Sequence, residues 1–293
     1  MRVFVTGATG FIGMAVTREL LEAGHSVLGL ARDVDKAAPL RRTGAEVVMG
    51  SLEDPAGLAT TAARSDGVIH CAFNHDFSKF ADNCAEDRRA IEAMGAALNG
   101  SGKPLIVTGG IAGLVGPGEL ATENDRIAPD HAFPRRSEQA ALALIDHGVN
   151  AMTMRLPQVH DTVKQGFITY FIAVARQHGV LAYVGTGDNR FPACHVTDVA
   201  RLYRLALEHG KPGFAYHAVG EQGLSMRAMC ETLSQRIGLP TVSLRADDAP
   251  AHFGWLAPFA AMDMPGSSAL TRKWLGWNPT GPGLLTDLAQ LEL

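Results

Sequence analysis

Eight residues near the amino end, Thr6-Gly7-Ala8-Thr9-Gly10-Phe11-Ile12-Gly13, leave few architectures open to this chain of 293 residues. They follow an apolar β-rich run over 3–6. They precede a segment, 14–23, in which Ala15, Val16, Leu20 and Leu21 fall on one helical face. Strand, glycine-rich turn and helix in that order bring helix N-terminal amides to where phosphates can be held. The glycines divide the work: Gly7 allows the tight turn, Gly10 lets backbone approach a pyrophosphate, and Gly13 lets the helix pack close. Thr9, Phe11 and Ile12 complete the expected dinucleotide-binding turn.

Further β-rich runs at 26–31, 46–49, 67–71, 105–108 and 151–155 alternate with amphipathic stretches such as 84–98, where Ile91, Met94 and Leu98 recur at helical spacing. Gly24, Gly44 and Gly148 stand just past helices, where a left-handed cap favours glycine. This alternation predicts an α/β fold, a Rossmann-type doubly wound parallel sheet with helices on both faces. Residues 1–160 read as the NAD(P)-binding domain, with a return segment at about 190–218, and residues 161–293 as a smaller substrate-binding lobe. Past about 159 the rhythm changes: a helix over 166–178, a glycine-rich loop at 184–190, a helix over 196–208, and a tail holding Trp255, Trp274 and Trp277. Clefts between such lobes commonly bind substrate.

A net charge of −4 supplies no basic field for nucleic acid or anionic lipid. Neither nucleic acid nor membrane is expected as a partner; a small-molecule substrate is, and a homodimer is compatible with the chain. Cys71, Cys84, Cys194 and Cys230 form no Cys-x-x-Cys pair, so free thiols are expected, with no metal site. A strand begins at Arg2 where a secretory signal would need an apolar stretch, and the apolar run 167–175 is broken by Arg176, Gln177 and His178. A cytoplasmic location without a transmembrane helix is expected.

The second strand ends Leu30-Ala31-Arg32. An acidic residue about 20 positions after the glycine motif favours NAD, and a nearby arginine accommodates a 2′-phosphate. With no carboxylate at Ala31 and a guanidinium at Arg32, NADP(H) is favoured over NAD(H). The other reading makes Arg32 a solvated strand-end charge and Asp33 the ribose partner.

The segments TGATGFIG at 6–13, GSLEDPAGL at 50–58, VIHCA at 68–72, LIVTGG at 105–110, RLP at 155–157 and HVTDVARL at 195–202 together make the chain similar to the short-chain dehydrogenase/reductase superfamily. It resembles the extended or atypical branch, also called NAD-dependent epimerase/dehydratase. The resemblance implies that Ser51 and Leu52 flank the adenine, Ala72 and Phe73 border the cofactor ribose, and Pro157 lies near the nicotinamide. Where that superfamily uses serine after the fifth strand, the chain offers only the Thr108 hydroxyl. Its Tyr-x-x-x-Lys pair is missing, because Tyr170, Tyr183, Tyr203 and Tyr216 come too late and none has lysine four residues on.

In that place stands His131-Ala132-Phe133-Pro134-Arg135, which resembles an atypical subgroup with His-x-x-x-Arg. Histidine titrates near neutrality and can protonate a carbonyl oxygen, while a permanent guanidinium can hold the ribose or lower the histidine pKa. His131, Arg135 and Thr108 are therefore the catalytic candidates. Pro134 leaves two registers open. It can begin the helix itself, so that His131 and Arg135 share no helix face, and anchoring on Ser137 puts Pro134 at the tyrosine place and Glu138 at the lysine place. On loops at the same sheet edge, His75 (in Asn74-His75-Asp76), Gln158 and His160 are candidates for substrate contact or for helix caps, whereas His195 heads an apolar helix and reads as structural.

The function expected is NADPH-dependent reduction of a carbonyl, imine or activated double bond in a small apolar molecule. Two readings stand beside it: a redox-inactive NADP sensor resembling the NmrA-like regulators, and a sugar-nucleotide epimerase or dehydratase, which the missing tyrosine disfavours. His75, Asp76, His131 and Arg135 on one edge favour an enzyme, since a sensor needs no proton donors there.

Overall fold

The structure, a computed structural model, describes residues 1–127 and 134–292. The first half runs β1 (Arg2–Thr6), α1 (Phe11–Glu22), β2 (Ser26–Ala31), α2 (Val34–Arg42), β3 (Glu46–Met49), α3 (Pro55–Ala63), β4 (Gly67–His70), α4 (Phe80–Ala97), β5 (Pro104–Gly110), α5 (Ser137–Ala143) and β6 (Asn150–Leu156). The second continues with β7 (Gln158–His160), α6 (Ile168–His178), β8 (Leu181–Val184), β9 (Arg190–His195), α7 (Val196–His209), β10 (Ala215–His217), β11 (Glu221–Ser225), α8 (Met226–Ile237) and β12 (Thr241–Leu244). Four short helices follow: α9 (Ala249–Phe253), α10 (Ala257–Ala260), α11 (Ala269–Leu275) and α12 (Leu284–Ala289).

The six strands expected from sequence pair, with β10 added beside β6, into one parallel sheet of seven, ordered β3-β2-β1-β4-β5-β6-β10. Strand β1 lies centrally, Val3, Phe4 and Val5 fully buried, because helices cover both faces. On one face α1, α2 and α7 pack around Val16, Leu20, Leu40, Leu202 and Tyr203. On the other, α3, α4 and α5 pack around Leu58, Ile91, Met94 and Ala141. This is the Rossmann-type α/β architecture. Gly24, Gly44 and Gly148 all take positive φ after their helices.

Helix α1 begins three residues earlier than the periodicity of 14–23 suggested, since Phe11, Ile12 and Gly13 of the turn are its first turn. The second lobe contains the sheet β11-β9-β7 and the parallel pair β12-β8. It has its own core of Phe171, Met229, Leu233, Phe253 and Leu284. Among the described residues no helix is long and apolar enough to cross a membrane.

Candidate active site

The glycine turn is shaped for an anion. Gly7 has φ +68°, and a Cβ there would lie 2.7–2.9 Å from backbone atoms of Cys71 and Ala72, so only glycine lets β1 and the end of β4 close together. A Cβ on Gly13 would stand 2.1 Å from the Gly7 carbonyl oxygen. Gly10 differs: it is exposed, extended at φ −86° and ψ 173°, and caps α1 with no side chain bonded to the helix amides. The open amides of Phe11 and Ile12 and the positive end of the helix dipole can take a pyrophosphate, with half-buried Thr9 beside them. The residues present thus fit a dinucleotide.

Further along the carboxyl edge, Arg32 is exposed just past β2. The Asp33 carboxylate caps α2, accepting from the Asp35 amide at 2.7 Å. Ser51 accepts from the Glu53 amide at 3.2 Å, and Leu52 is buried in the core under α3. Ala72 and Phe73 follow β4, and Pro157 separates β6 from β7, so the residues named by resemblance all lie at the edge where open α/β sheets bind ligands.

Arg135 is the best-defined candidate. Its guanidinium carbon sits 4.2 Å above the Phe73 ring, its Nε donates to Ser137 Oγ at 2.9 Å, and its Nη2 donates to the Thr108 carbonyl at 3.1 Å. Ser137 donates in turn to Asp87 Oδ2 at 2.5 Å. The other oxygen of Asp87 meets His70 Nε2 at 3.2 Å, and His70 Nδ1 lies 2.7 Å from the Thr6 hydroxyl. Burial raises the Asp87 carboxyl, yet the hydrogen bond and charge of His70, the charge of Arg135 and the Ser137 hydrogen bond together hold it below the usual carboxylate range.

Thr108 is engaged by the protein. Its hydroxyl donates to the His70 carbonyl at 2.6 Å and lies 2.7 Å from the Tyr203 hydroxyl, so its proton is not directed at a ligand. Cys71 adjoins the same pair, and burial pushes its thiol up to about 11, an unreactive value.

His131 lies outside the described residues. Helix α5 starts only at Ser137, so Pro134 does not open it and Arg135 stands ahead of it. Glu138, at the alternative lysine place, is buried against fully buried Arg155, with contacts of 2.6 and 2.8 Å. Arg155 also donates to His217 Nε2 at 2.9 Å. Burial first, and the charge of Arg155 second, depress that imidazole to about 3.

His75 packs edge-on to Phe73 at 5.4 Å between centroids. Desolvation, then the charges of Arg135 and Lys164, hold its ring below the usual imidazole range. Asp76 instead caps the turn before α4, accepting from Ser78. Gln158 and His160, expected at the substrate, turn inward. Gln158 accepts from the Phe167 amide at 2.8 Å, and His160, with no exposure, bonds Asp287 at 2.6 Å. Strand β7 forms the edge of the β11-β9-β7 sheet, and both side chains are buried there. His195 caps α7, its ring 2.8 Å from the Thr197 hydroxyl.

Sequence reasoning passed over Asp87, although a signal was present: it falls at helical spacing among buried Asn83, Ala90, Ile91 and Met94. A carboxylate in that stripe requires a buried partner.

The family model for the NAD dependent epimerase/dehydratase family matches residues 3–219, through the glycine turn, the seven strands and the Arg135 cluster. The chain belongs to this family. As a whole this epimerase/dehydratase-family chain is 45% identical to an uncharacterised protein of Schizosaccharomyces pombe over 99% of its own length and 98% of the relative's. It is 29% identical to a 2-alkyl-3-oxoalkanoate reductase of Stenotrophomonas maltophilia, over 83% of this chain and 77% of that one. Its fold matches the crystal structure of DesIV, a dTDP-glucose 4,6-dehydratase from Streptomyces venezuelae with NAD bound, with a TM-score of 0.79 over 99% of this chain and 95% of that one, at 20% identity. The family is NAD(P)-dependent and comprises oxidoreductases and epimerases.

Proposed function

We propose that the protein is an NADPH-dependent reductase of a carbonyl, imine or activated double bond in a small apolar molecule. The observation that carries this reading is the Arg135 guanidinium, locked at the carboxyl edge of the sheet over Phe73 and against the Thr108 carbonyl. A preorganised positive charge there stabilises negative charge developing on a substrate oxygen or nitrogen. NADPH, when bound, supplies the hydride. A cofactor sensor has no need of that charge.

Three further points support the reading. Arg32 is exposed at the end of β2 while Asp33 is engaged as a helix cap, which favours the 2′-phosphate of NADP. Phe167, Tyr170, Trp255 and Phe259 form a contiguous aromatic group on the second lobe, and Gln158, one residue past Pro157, ties Phe167 to the end of the sheet. Such a surface suits an apolar substrate. A relative at 29% identity bears the name of a 2-alkyl-3-oxoalkanoate reductase, a keto compound with an alkyl body.

With the Thr108 proton directed to His70, the proton donor proposed is His131, four residues before Arg135. His131→Ala should lower single-turnover hydride transfer by about 10²- to 10⁴-fold while sparing cofactor affinity. The deciding experiment is NADPH consumption across a panel of ketones, imines and enones, beside calorimetry of NADPH and NADH. Tight NADPH binding with no turnover on any class would transfer the function to a sensor.

A further inference from the structure

We propose that His70, Asp87 and Ser137 are positioning residues for Arg135, a buried chain of hydrogen bonds that fixes the guanidinium in one pose toward the cofactor. The proposal rests on reading this edge as the cofactor-facing side.

Arg135 stands outside α5 and begins a long, rotatable side chain, which by itself would sample many poses. Two donors hold it, Nε on Ser137 Oγ at 2.9 Å and Nη2 on the Thr108 carbonyl at 3.1 Å, and these set both the position and the plane of the guanidinium above Phe73. Ser137 can accept from Arg135 because its own proton goes to Asp87 at 2.5 Å. An ionised carboxylate only accepts, so Asp87 dictates the direction of that hydroxyl and turns its lone pairs to the arginine.

Asp87 is itself fixed from the opposite side. His70 Nε2–H donates to it at 3.2 Å, which leaves His70 Nδ1 to accept from Thr6 at 2.7 Å. The Thr6 oxygen also accepts the Ala72 amide at 3.2 Å. His70 closes β4 and Thr6 closes β1, so the pose of Arg135 inherits the rigidity of the two central strands beneath the glycine turn. Asp87 and His70 are 0% and 1% exposed, and neither can reach a ligand. Their hydrogen-bonded link to the guanidinium is Ser137, and the Asp87 charge acts on Arg135 as well. Holding a carboxylate among Ala90, Ile91 and Met94 costs stability that an apolar residue on that face would spare, so the charge is explained by what it orients.

The test is a double-mutant cycle read in NADPH affinity by calorimetry, with Ser137→Ala, Arg135→Ala and the pair, each variant first shown folded by its melting transition. Ser137→Ala should weaken NADPH binding by about five- to tenfold and Arg135→Ala by about tenfold or more. The pair should be no worse than Arg135→Ala within about twofold, because Ser137 acts only through the arginine. The same non-additivity is expected in single-turnover rates on an active substrate. Should Ser137→Ala not fold, Asp87→Asn, of the same shape, takes its place in the cycle. A Ser137→Ala effect under about threefold, or losses that multiply in the pair, would overturn the proposal. A panel without turnover would remove the reductase reading and leave the calorimetric cycle to decide this one, while unchanged affinity in Arg135→Ala would overturn the positioning itself.

Discussion

Gly10 caps α1 and Gly13 lies three residues on in its first turn, and the structure separates their tasks sharply enough for substitution at each to fail differently. A Cβ on Gly13 would be 2.1 Å from the Gly7 oxygen, 2.6 Å from the Gly7 carbonyl carbon and 3.0 Å from Ala8 Cα, all of it backbone that cannot swing aside. Gly13→Ala must therefore move α1 off β1 by about 1 Å in a close-packed interior. Overpacking of this kind costs about 1–3 kcal/mol or more, and a gain of up to about 1 kcal/mol in helix propensity offsets only part of it. A net loss of about 2 kcal/mol should lower the melting point by about 4 °C or more. At Gly10, by contrast, an added Cβ meets only the Gly7 oxygen at 3.2 Å, and the extended φ of −86° suits a β-branched residue. Gly10→Val should change stability by less than about 1 kcal/mol, the scale of a helix-cap substitution. Its side chain stands where a pyrophosphate would approach the Phe11 and Ile12 amides. Losing two hydrogen bonds to a charged group should weaken NADPH binding by about 100-fold or more. Urea unfolding and NADPH calorimetry on both variants read the contrast. If Gly10→Val binds NADPH within about threefold of the parent, or Gly13→Ala unfolds at the parent's midpoint, the division of roles is wrong.

Three other perturbations follow from the same geometry. Arg32→Ala should erase most of the NADP(H) over NAD(H) preference, a loss of about 1.5–3 kcal/mol in calorimetry, and equal affinities in the parent would contradict the cofactor assignment. Glu138→Ala leaves fully buried Arg155 without its carboxylate and should cost about 3–5 kcal/mol in urea unfolding; a cost under about 1 kcal/mol would mean the pair is dispensable. His217 is depressed from 6.5 to about 3 in the folded protein. Its contribution is full above pH 6.5 and is lost as pH falls from 6.5 toward about 3, with a slope of up to about 1.4 kcal/mol per pH unit. His160, also depressed, adds with the same sign. Urea midpoints that stay flat from pH 7 to pH 5 would refute this account.

The first half of the fold was legible because its signals are local. The glycine spacing, the apolar runs and the glycines after helices each declare themselves within a few residues, and β1 to β6 fall where those runs lie. The later strands were less so, since β7 in the second lobe and β10 at the end of the large sheet have three residues each, too few for alternation to show. In the site, the cofactor edge could be read from motif and order, but the partners of Arg135 could not. Asp87 and Ser137 are 50 positions apart, and nothing short of the α4 and α5 packing brings them together. Tyr203 lies too far along the chain to occupy the Tyr-x-x-x-Lys place. The packing of α7 on the sheet then placed its hydroxyl on Thr108, 95 positions away.

Strand β10, at the end of the seven-stranded sheet, is made of residues 215–217, after the chain has already built β7, α6, β8 and β9. The two lobes are thus stitched through one another rather than strung in sequence. No single cut releases either. A fragment ending at residue 160 would lack α7 and β10, exposing Val16 and Leu20 on one face of the sheet and the unpaired edge of β6 along its side. An open apolar edge of that kind invites pairing with another chain, so the amino-terminal half should aggregate when expressed alone. Tyr203 reaches the Thr108 hydroxyl at 2.7 Å only through α7, a helix that the chain supplies after β7, α6, β8 and β9, so a fragment cut at residue 160 leaves Thr108 without that partner.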